Sequence, residues 1–196
     1  MRKAQIERIT KETEIIAEIN LDGVGTSKID TPVPFFSHML ENFSKHSRID
    51  IDISIKGDIE VDQHHTVEDT GIVLGSIIKK ALGDKSGINR AGFFVFPMDE
   101  ALSVVSVDIG GRAYLQFEAE FQRQFCGDFD LDTLEDFFNG FAQGLSANIA
   151  VRAITGRSDH HKVESIFKAF AKAMAMAVSF DEKFKDYIPS TKGVIE

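Results

Sequence analysis

Two five-residue runs hold the residue types best suited to chemistry: His64-His65-Thr66-Val67-Glu68 and, 96 positions later, His160-His161-Lys162-Val163-Glu164. On a helix, residues four apart share a face, so His64 with Glu68 and His160 with Glu164 can each grip one ion. The neighbours His65 and His161 sit about 100° further round the axis, so each helix is expected to serve two ions at once. Imidazole and carboxylate donors without thiolate suit Mn, Fe, Co, Ni or Zn, and the residue types do not choose among these. His38 extends the set, and its counterpart in the second half is Asp136, because HMLENF aligns with DFFNGF. Taken alone, Asp136 reads equally well as an exposed helix carboxylate, and a single His-His pair as an accident of helix capping. The second copy with a matching glutamate argues against accident. His38 and Asp136 both lie off the apolar stripe of their helices, so they are expected to meet the His-His helices across an interface, with the metal sites joining subunits.

The elements needed to carry these residues repeat as well. Each His-His run opens a helical segment (TGIVLGSIIKKAL and SIFKAFAKAMAMAV) and follows an alternating stretch, Arg48 to Lys56 and Ala147 to Ile154, that reads as a half-buried strand. Ahead of each strand lies an amphipathic helix, with Phe36, Met39, Leu40 and Phe43 on one face in the first half and Leu134, Phe137, Phe138, Phe141 and Leu145 in the second. Extended material begins each half: Gln5 to Leu21, turned at Lys11-Glu12, and Gly92 to Glu120, broken at Pro97, Asp99 and Gly110-Gly111. The predicted fold is α+β, a single domain made of two similar units, 1–90 and 91–196, each a small sheet with two helices on one face, related by a pseudo-twofold. Sheets with an open face predict further assembly.

Composition narrows the partners. With 196 residues, 43% hydrophobic, the chain is long enough for one well-buried core. Thirty-one acidic against 22 basic side chains give a net charge of -9, which excludes a broad nucleic-acid surface but leaves room for a small anion held by a few placed cations. The single cysteine, Cys126, cannot form an internal disulfide, the N-terminus has no apolar core segment, and no apolar run is long enough to span a bilayer. These features place the protein in the cytoplasm, away from any membrane.

Taken together, several stretches resemble the imidazoleglycerol-phosphate dehydratase family of histidine biosynthesis. They are Thr10-Lys11-Glu12-Thr13, Asn20-Leu21-Asp22-Gly23, FFSHMLENFSKH, HHTVEDTGI, Pro97-Met98-Asp99-Glu100-Ala101, Gly111-Arg112, DHHKVESIFKAFAKA and Pro189-Ser190-Thr191-Lys192-Gly193. The resemblance implies a hydro-lyase that dehydrates imidazole glycerol phosphate to imidazole acetol phosphate, with two Mn2+ per active site holding the substrate imidazole. It also implies a homo-oligomer of 24 subunits with sites at subunit contacts. Carried over residue by residue, His38, His64, His65, Glu68, His160, His161 and Glu164 are metal ligands, and Asp136 stands where relatives often have another histidine. Arg90, Arg112, Ser190 and Lys192 take the phosphate, and His46 and Glu12 lie near the substrate. Ser37 and Asn42 depart from the family's usual Asp and Gln. Among Glu12, Glu68 and Glu164 as catalytic carboxylates, Glu12 is favoured for acid–base work because the other two are committed to metal. Two other readings keep the metal: a dinuclear phosphate-ester hydrolase, and a shell clamped by purely structural ions.

Overall fold

The computed structural model describes residues 1–195. The first half runs β1 (Lys3–Ile9), β2 (Thr13–Asn20), β3 (Ser27–Asp30), α1 (Pro34–Ser47), β4 (Asp50–Gly57) and α2 (His64–Leu82). The second runs β5 (Ala91–Met98), β6 (Ala101–Asp108), β7 (Tyr114–Glu118), the two-residue strands β8 (Phe125–Cys126) and β9 (Phe129–Asp130), α3 (Thr133–Leu145), β10 (Asn148–Thr155) and α4 (Asp159–Val178). The two four-stranded sheets have the same plan, β1-β2-β4-β3 and β5-β6-β10-β7, each a meander closed by a parallel edge strand. The duplicated α+β architecture expected from the repeats is therefore present. Strand β3, the parallel pairing of the edge strands β3 and β7, and the short β8–β9 hairpin add detail that alternation alone does not reveal.

Period-two burial explains the sheets. In β2 and β4 the residues Ile15, Ala17, Ile19, Ile51, Ile53 and Ile55 turn inward and are at most 3% exposed, while Glu14, Glu18, Asp52 and Lys56 turn outward. The helices fill the space between the two sheets: α2 packs on β1 and β2, and α4 on β5 and β6. Phenylalanine supplies the filling, with Phe36, Phe43, Phe137, Phe138, Phe141, Phe167 and Phe170 all buried and arranged largely edge-to-face, as in Phe141–Phe170 at 4.9 Å and 82°. The apolar faces read from the sequence of α1 and α3 are all among these core residues or their buried neighbours.

Helix direction positions the site. Gly71 and Gly75 of α2 abut Phe137, Phe141 and Leu145 of α3, and Gly140 and Gly144 of α3 abut Glu68, Ile72 and Ser76 of α2. Contacts that climb both helices together mean parallel helices. The missing side chains let the backbones touch: a Cβ on Gly71 would lie 2.2 Å from the Phe137 carbonyl oxygen. α1 and α4 are parallel too, since Phe35 meets His160 and Phe43 stacks on Phe170. The core pairs Phe36–Phe137 and Phe43–Phe141 set α1 alongside α3 in the same sense. All four helices therefore begin at one end of the molecule, and both His-His pairs lie there. Among the described residues no helix is long and apolar enough to cross a membrane.

Candidate functional site

The helix starts group the predicted ligands in two sets. In the first, His64 and Glu68 on α2 meet Asp136 on α3: His64 Nδ1 is 3.1 Å from Asp136 Oδ2, and His64 Nε2 is 3.7 Å from Glu68 Oε2. In the second, His160 Nε2 on α4 is 3.3 Å from Glu164 Oε2, and the charge of His38 on α1 is felt by Glu164. Each set takes residues from both halves of the duplication. The expectation that Asp136 meets the His-His helix across a subunit contact is corrected: the parallel α2–α3 packing brings Asp136 to His64 inside one chain. No hydrogen bond or ion pair among the described residues joins the two sets.

The second histidine of each pair turns toward a hairpin or loop. His65 Nδ1 is 3.1 Å from Asp58 Oδ2, in the loop after β4, and its Nε2 is 3.9 Å from Glu12 Oε1, in the β1–β2 turn. His161 Nδ1 is 2.8 Å from Glu100 Oε2 and its Nε2 is 3.9 Å from Asp99 Oδ2, both in the β5–β6 turn. The hairpin carboxylates are held locally. Thr10 Oγ1 accepts from the Glu12 and Thr13 backbone N–H groups, and Glu100 Oε1 accepts from the N–H of Ser158, which caps α4.

Electrostatics follow these contacts. The Asp58 hydrogen bond raises the His65 imidazole above its ordinary value, with Glu12 adding to the effect, and the Glu100 hydrogen bond does the same for His161. In return His161, with the Ser158 N–H, holds the Glu100 carboxyl down at about 2. Burial would raise Glu164, but a 2.7 Å bond from Lys168 together with its charge outweighs that, leaving Glu164 below the usual carboxylate range. Lys168, four residues after Glu164 and only 14% exposed, and the carboxylates Asp58, Asp99 and Glu100 are site residues that sequence reasoning did not single out. The i,i+4 spacing of Lys168 carried a usable signal, and Asp99 and Glu100 lie in the family-like stretch Pro97–Ala101; Asp58 had none.

Near His38, Asn42 Nδ2 donates to the His38 carbonyl at 3.0 Å and lies 3.3 Å from His38 Nε2, while the Ser37 N–H closes the first turn onto Val33. His46, in the last turn of α1, lies edge-on to Phe96; burial lowers its value, aided by the nearby charges of Lys168 and Lys172.

The predicted phosphate residues lie elsewhere. The Arg90 backbone N–H donates to the carbonyl of Ala177, near the far end of α4, and the Gly111 N–H donates to Ser146 beyond the end of α3, placing Arg112 there as well. Arg90 forks onto Asp108 at 2.6 and 2.9 Å and donates to the Pro189 carbonyl, so three of its five N–H groups are engaged among the described residues. The final segment is seated beside it through Gly87 N–H to Tyr187 O and Lys85 Nζ to Ile195 O, so Ser190 and Lys192 lie on the same end. From His160 to Ala177 is about 25 Å along α4 at 1.5 Å per residue, so in one chain the histidines and the basic group occupy opposite ends.

The donor chemistry fits a divalent cation. All four Nε2 atoms face a carboxylate oxygen at 3.3 to 3.9 Å with no hydrogen bond formed between them. For the two predicted ligand pairs, His64–Glu68 at 3.7 Å and His160–Glu164 at 3.3 Å, the separations match two donors bound about 2.1 Å from one ion at an angle of roughly 100–125°.

Fold and site together define a class: a duplicated α+β protein whose four parallel helices present paired imidazoles and carboxylates at one end. A family model for imidazoleglycerol-phosphate dehydratase matches residues 31–174. The dehydratase of Nitrosomonas eutropha is 48% identical over the whole of both chains, and that of Pseudomonas fluorescens 48% identical over 99% of this chain and 98% of its own. The solved imidazoleglycerol-phosphate dehydratase of Staphylococcus aureus superposes with a TM-score of 0.82 at 35% identity, covering 91% of this chain and 99% of that one. The IGPD structure from Pyrococcus furiosus gives 0.81 at 34%, over 96% and 99%. The chain belongs to the imidazoleglycerol-phosphate dehydratase family, hydro-lyases of histidine biosynthesis.

Proposed function

We propose that this chain dehydrates imidazoleglycerol phosphate to imidazole acetol phosphate in the cytoplasm, in a homo-oligomer whose active sites each use two divalent ions, Mn2+ by preference. The observation that carries the reading is the presentation of four imidazole Nε2 atoms, each opposite a carboxylate oxygen, at one end of the fold. His64, Glu68, His65, His38, His160, Glu164 and His161 would hold the ions, with Asp136 next to His64. Bound there, two cations would supply Lewis acidity to the substrate's imidazole ring.

The chain's own groups do the rest. Dehydration removes a proton from carbon and releases a hydroxyl, and the exposed Glu12 carboxylate, 3.9 Å from His65 Nε2 and without a direct hydrogen bond to it, is placed to carry that proton. Glu164 is held by Lys168 and Glu68 faces His64, so neither is as free. Arg90, Arg112, Ser190 and Lys192 hold the phosphate, and His46 adds a polar contact along the path. Because these phosphate groups lie about 25 Å from their own chain's histidines, much further than the substrate reaches, they serve the histidine end of a neighbouring subunit. The outer face of the second sheet, with Phe93 64% and Tyr114 65% exposed, supports self-association, and an assembly of 24 accords with the family resemblance.

The test is a dehydration assay on imidazoleglycerol phosphate combined with metal analysis. Activity is expected with bound Mn2+, falling to background after chelation and returning when Mn2+ is added. Full activity in the chelated, metal-free protein would refute the reading.

A further inference from the structure

The four paired histidines have two ring nitrogens each, and the fold treats them differently. On three of the four, Nδ1 lies within hydrogen-bond distance of a carboxylate: His64 to Asp136 at 3.1 Å, His65 to Asp58 at 3.1 Å, His161 to Glu100 at 2.8 Å. The carboxylates come from three unrelated places, the first turn of α3, the loop after β4 and the β5–β6 turn, so one local motif does not produce the pattern. On all four, Nε2 faces a different carboxylate oxygen at 3.3 to 3.9 Å without a hydrogen bond.

We infer that Asp58, Glu100 and Asp136 are positioning residues that take the Nδ1–H of His65, His161 and His64 and thereby turn each ring so that its Nε2 lone pair faces the ion site. The inference rests on the metal reading above. A neutral imidazole has one N–H and one lone pair, so a carboxylate accepting at Nδ1 fixes the proton there and leaves Nε2 as the only donor to metal. The two nitrogens look out from diverging edges of the ring. Asp136, bonded at Nδ1, therefore lies on the wrong edge of His64 to share an ion with Nε2, and acts through the histidine instead of as a ligand.

The two halves divide these duties unequally. The β5–β6 turn has two adjacent carboxylates, so Glu100 takes Nδ1 of His161 while Asp99 faces Nε2. The β1–β2 turn contributes only Glu12, which faces Nε2, and Nδ1 of His65 falls to Asp58 instead. Glu12 is thereby left free of a ring-orienting bond, consistent with its duty as the proton carrier. His160 has no such carboxylate among the described residues and is set edge-on against Phe35, at 5.1 Å and 81°.

The experiment is a calorimetric titration of the metal-stripped, full-length protein with Mn2+ alone, reading affinity and the number of ions per chain. Wild type is expected to saturate. Asp58→Ala, Glu100→Ala and Asp136→Ala should each weaken binding by about 10- to 100-fold at one site while still reaching the wild-type ion count at saturation, the usual cost of losing a ring-orienting partner. Glu100→Asp and Asp136→Glu should recover part of the affinity, and His64→Ala should lose an ion outright. Loss of an ion in Asp136→Ala, matching His64→Ala, would make Asp136 a ligand and overturn the assignment. Unchanged affinity in the three alanine variants, with wild type binding normally, would overturn the positioning role and leave the metal reading standing. A wild-type chain that takes up no Mn2+ would sink the metal reading itself.

Discussion

Glutamate 12 shows what a single residue contributes at this site. It stands at a tight turn fixed by Thr10, more than half exposed, with His65 Nε2 3.9 Å from its carboxylate. Removing its charge while keeping its shape should leave binding groups in place and slow the chemistry. Glu12→Gln is expected to lower kcat by about 10²- to 10⁴-fold with little change in KM, measured by steady-state kinetics at saturating Mn2+; an undiminished kcat would move the proton-carrier duty to another carboxylate. The histidines and helix glutamates were legible in the sequence because helical spacing alone puts His64 with Glu68 and His160 with Glu164. Asp58 was not, and Glu100 stood out only as part of the stretch Pro97–Ala101, without its partner. Glu100 reaches His161 from 61 positions away through a hairpin, a contact created by sheet register and visible in no local period.

Among the elements, the closest contact is between α2 and α3, and it sets the first group of site residues. Parallel backbones in touch at Gly71 and Gly75 bring the start of α3, and with it Asp136, to the start of α2. Gly71→Ala would press a methyl to 2.2 Å from the Phe137 carbonyl, backbone that cannot swing aside, so a loss of about 3 kcal/mol or more is expected in chemical denaturation. Mn2+ affinity should weaken as well, because Asp136 is displaced from His64. A second element-level device is Asp50, which accepts from the Val24 and Thr26 N–H groups at 2.9 Å and ties the β2–β3 connection to β4. Burial opposes its ionisation, but these bonds prevail and its carboxyl titrates below the ordinary value. The stabilisation it provides is therefore complete above about pH 4 and fades as pH falls through the lower folded-state value. Asp50→Ala should cost about 1–3 kcal/mol at neutral pH and progressively less in acid, as read from urea melts across that range. An Asp50→Ala penalty independent of pH would point to packing instead. The strands and helices themselves were legible from alternation and amphipathic faces, β7 among them as extended chain, whereas β3 and the parallel pairing of both edge strands were not, because a short parallel edge strand is specified by what it pairs with more than by its own pattern.

At the scale of the whole molecule, the decisive feature is the separation of two sets of residues that the proposed function assigns to one substrate. Nothing in the order of motifs along the chain reveals it, since Arg90 follows the first His-His helix closely in sequence. Only the direction of the helices does: all four begin at the histidine end, and α4 runs about 25 Å before its far end meets Arg90 and the final segment. A site containing both must be built from at least two chains. Mixing therefore offers a clean test. On the proposed assignment, chains with His65→Ala lack a metal ligand but keep the basic group, and chains with Lys192→Ala keep the metal site but lack a phosphate contact. Each alone should be nearly inactive under subsaturating substrate. Unfolded together and reassembled in equal amounts, they should regain about a quarter of wild-type activity, because one random pairing in four joins an intact histidine end to an intact basic end. Complementation requires exchange of chains, so mixing the preformed assemblies without unfolding should restore far less. If the co-assembled mixture stays as inactive as its parents, the two sets of residues do not meet across a subunit contact.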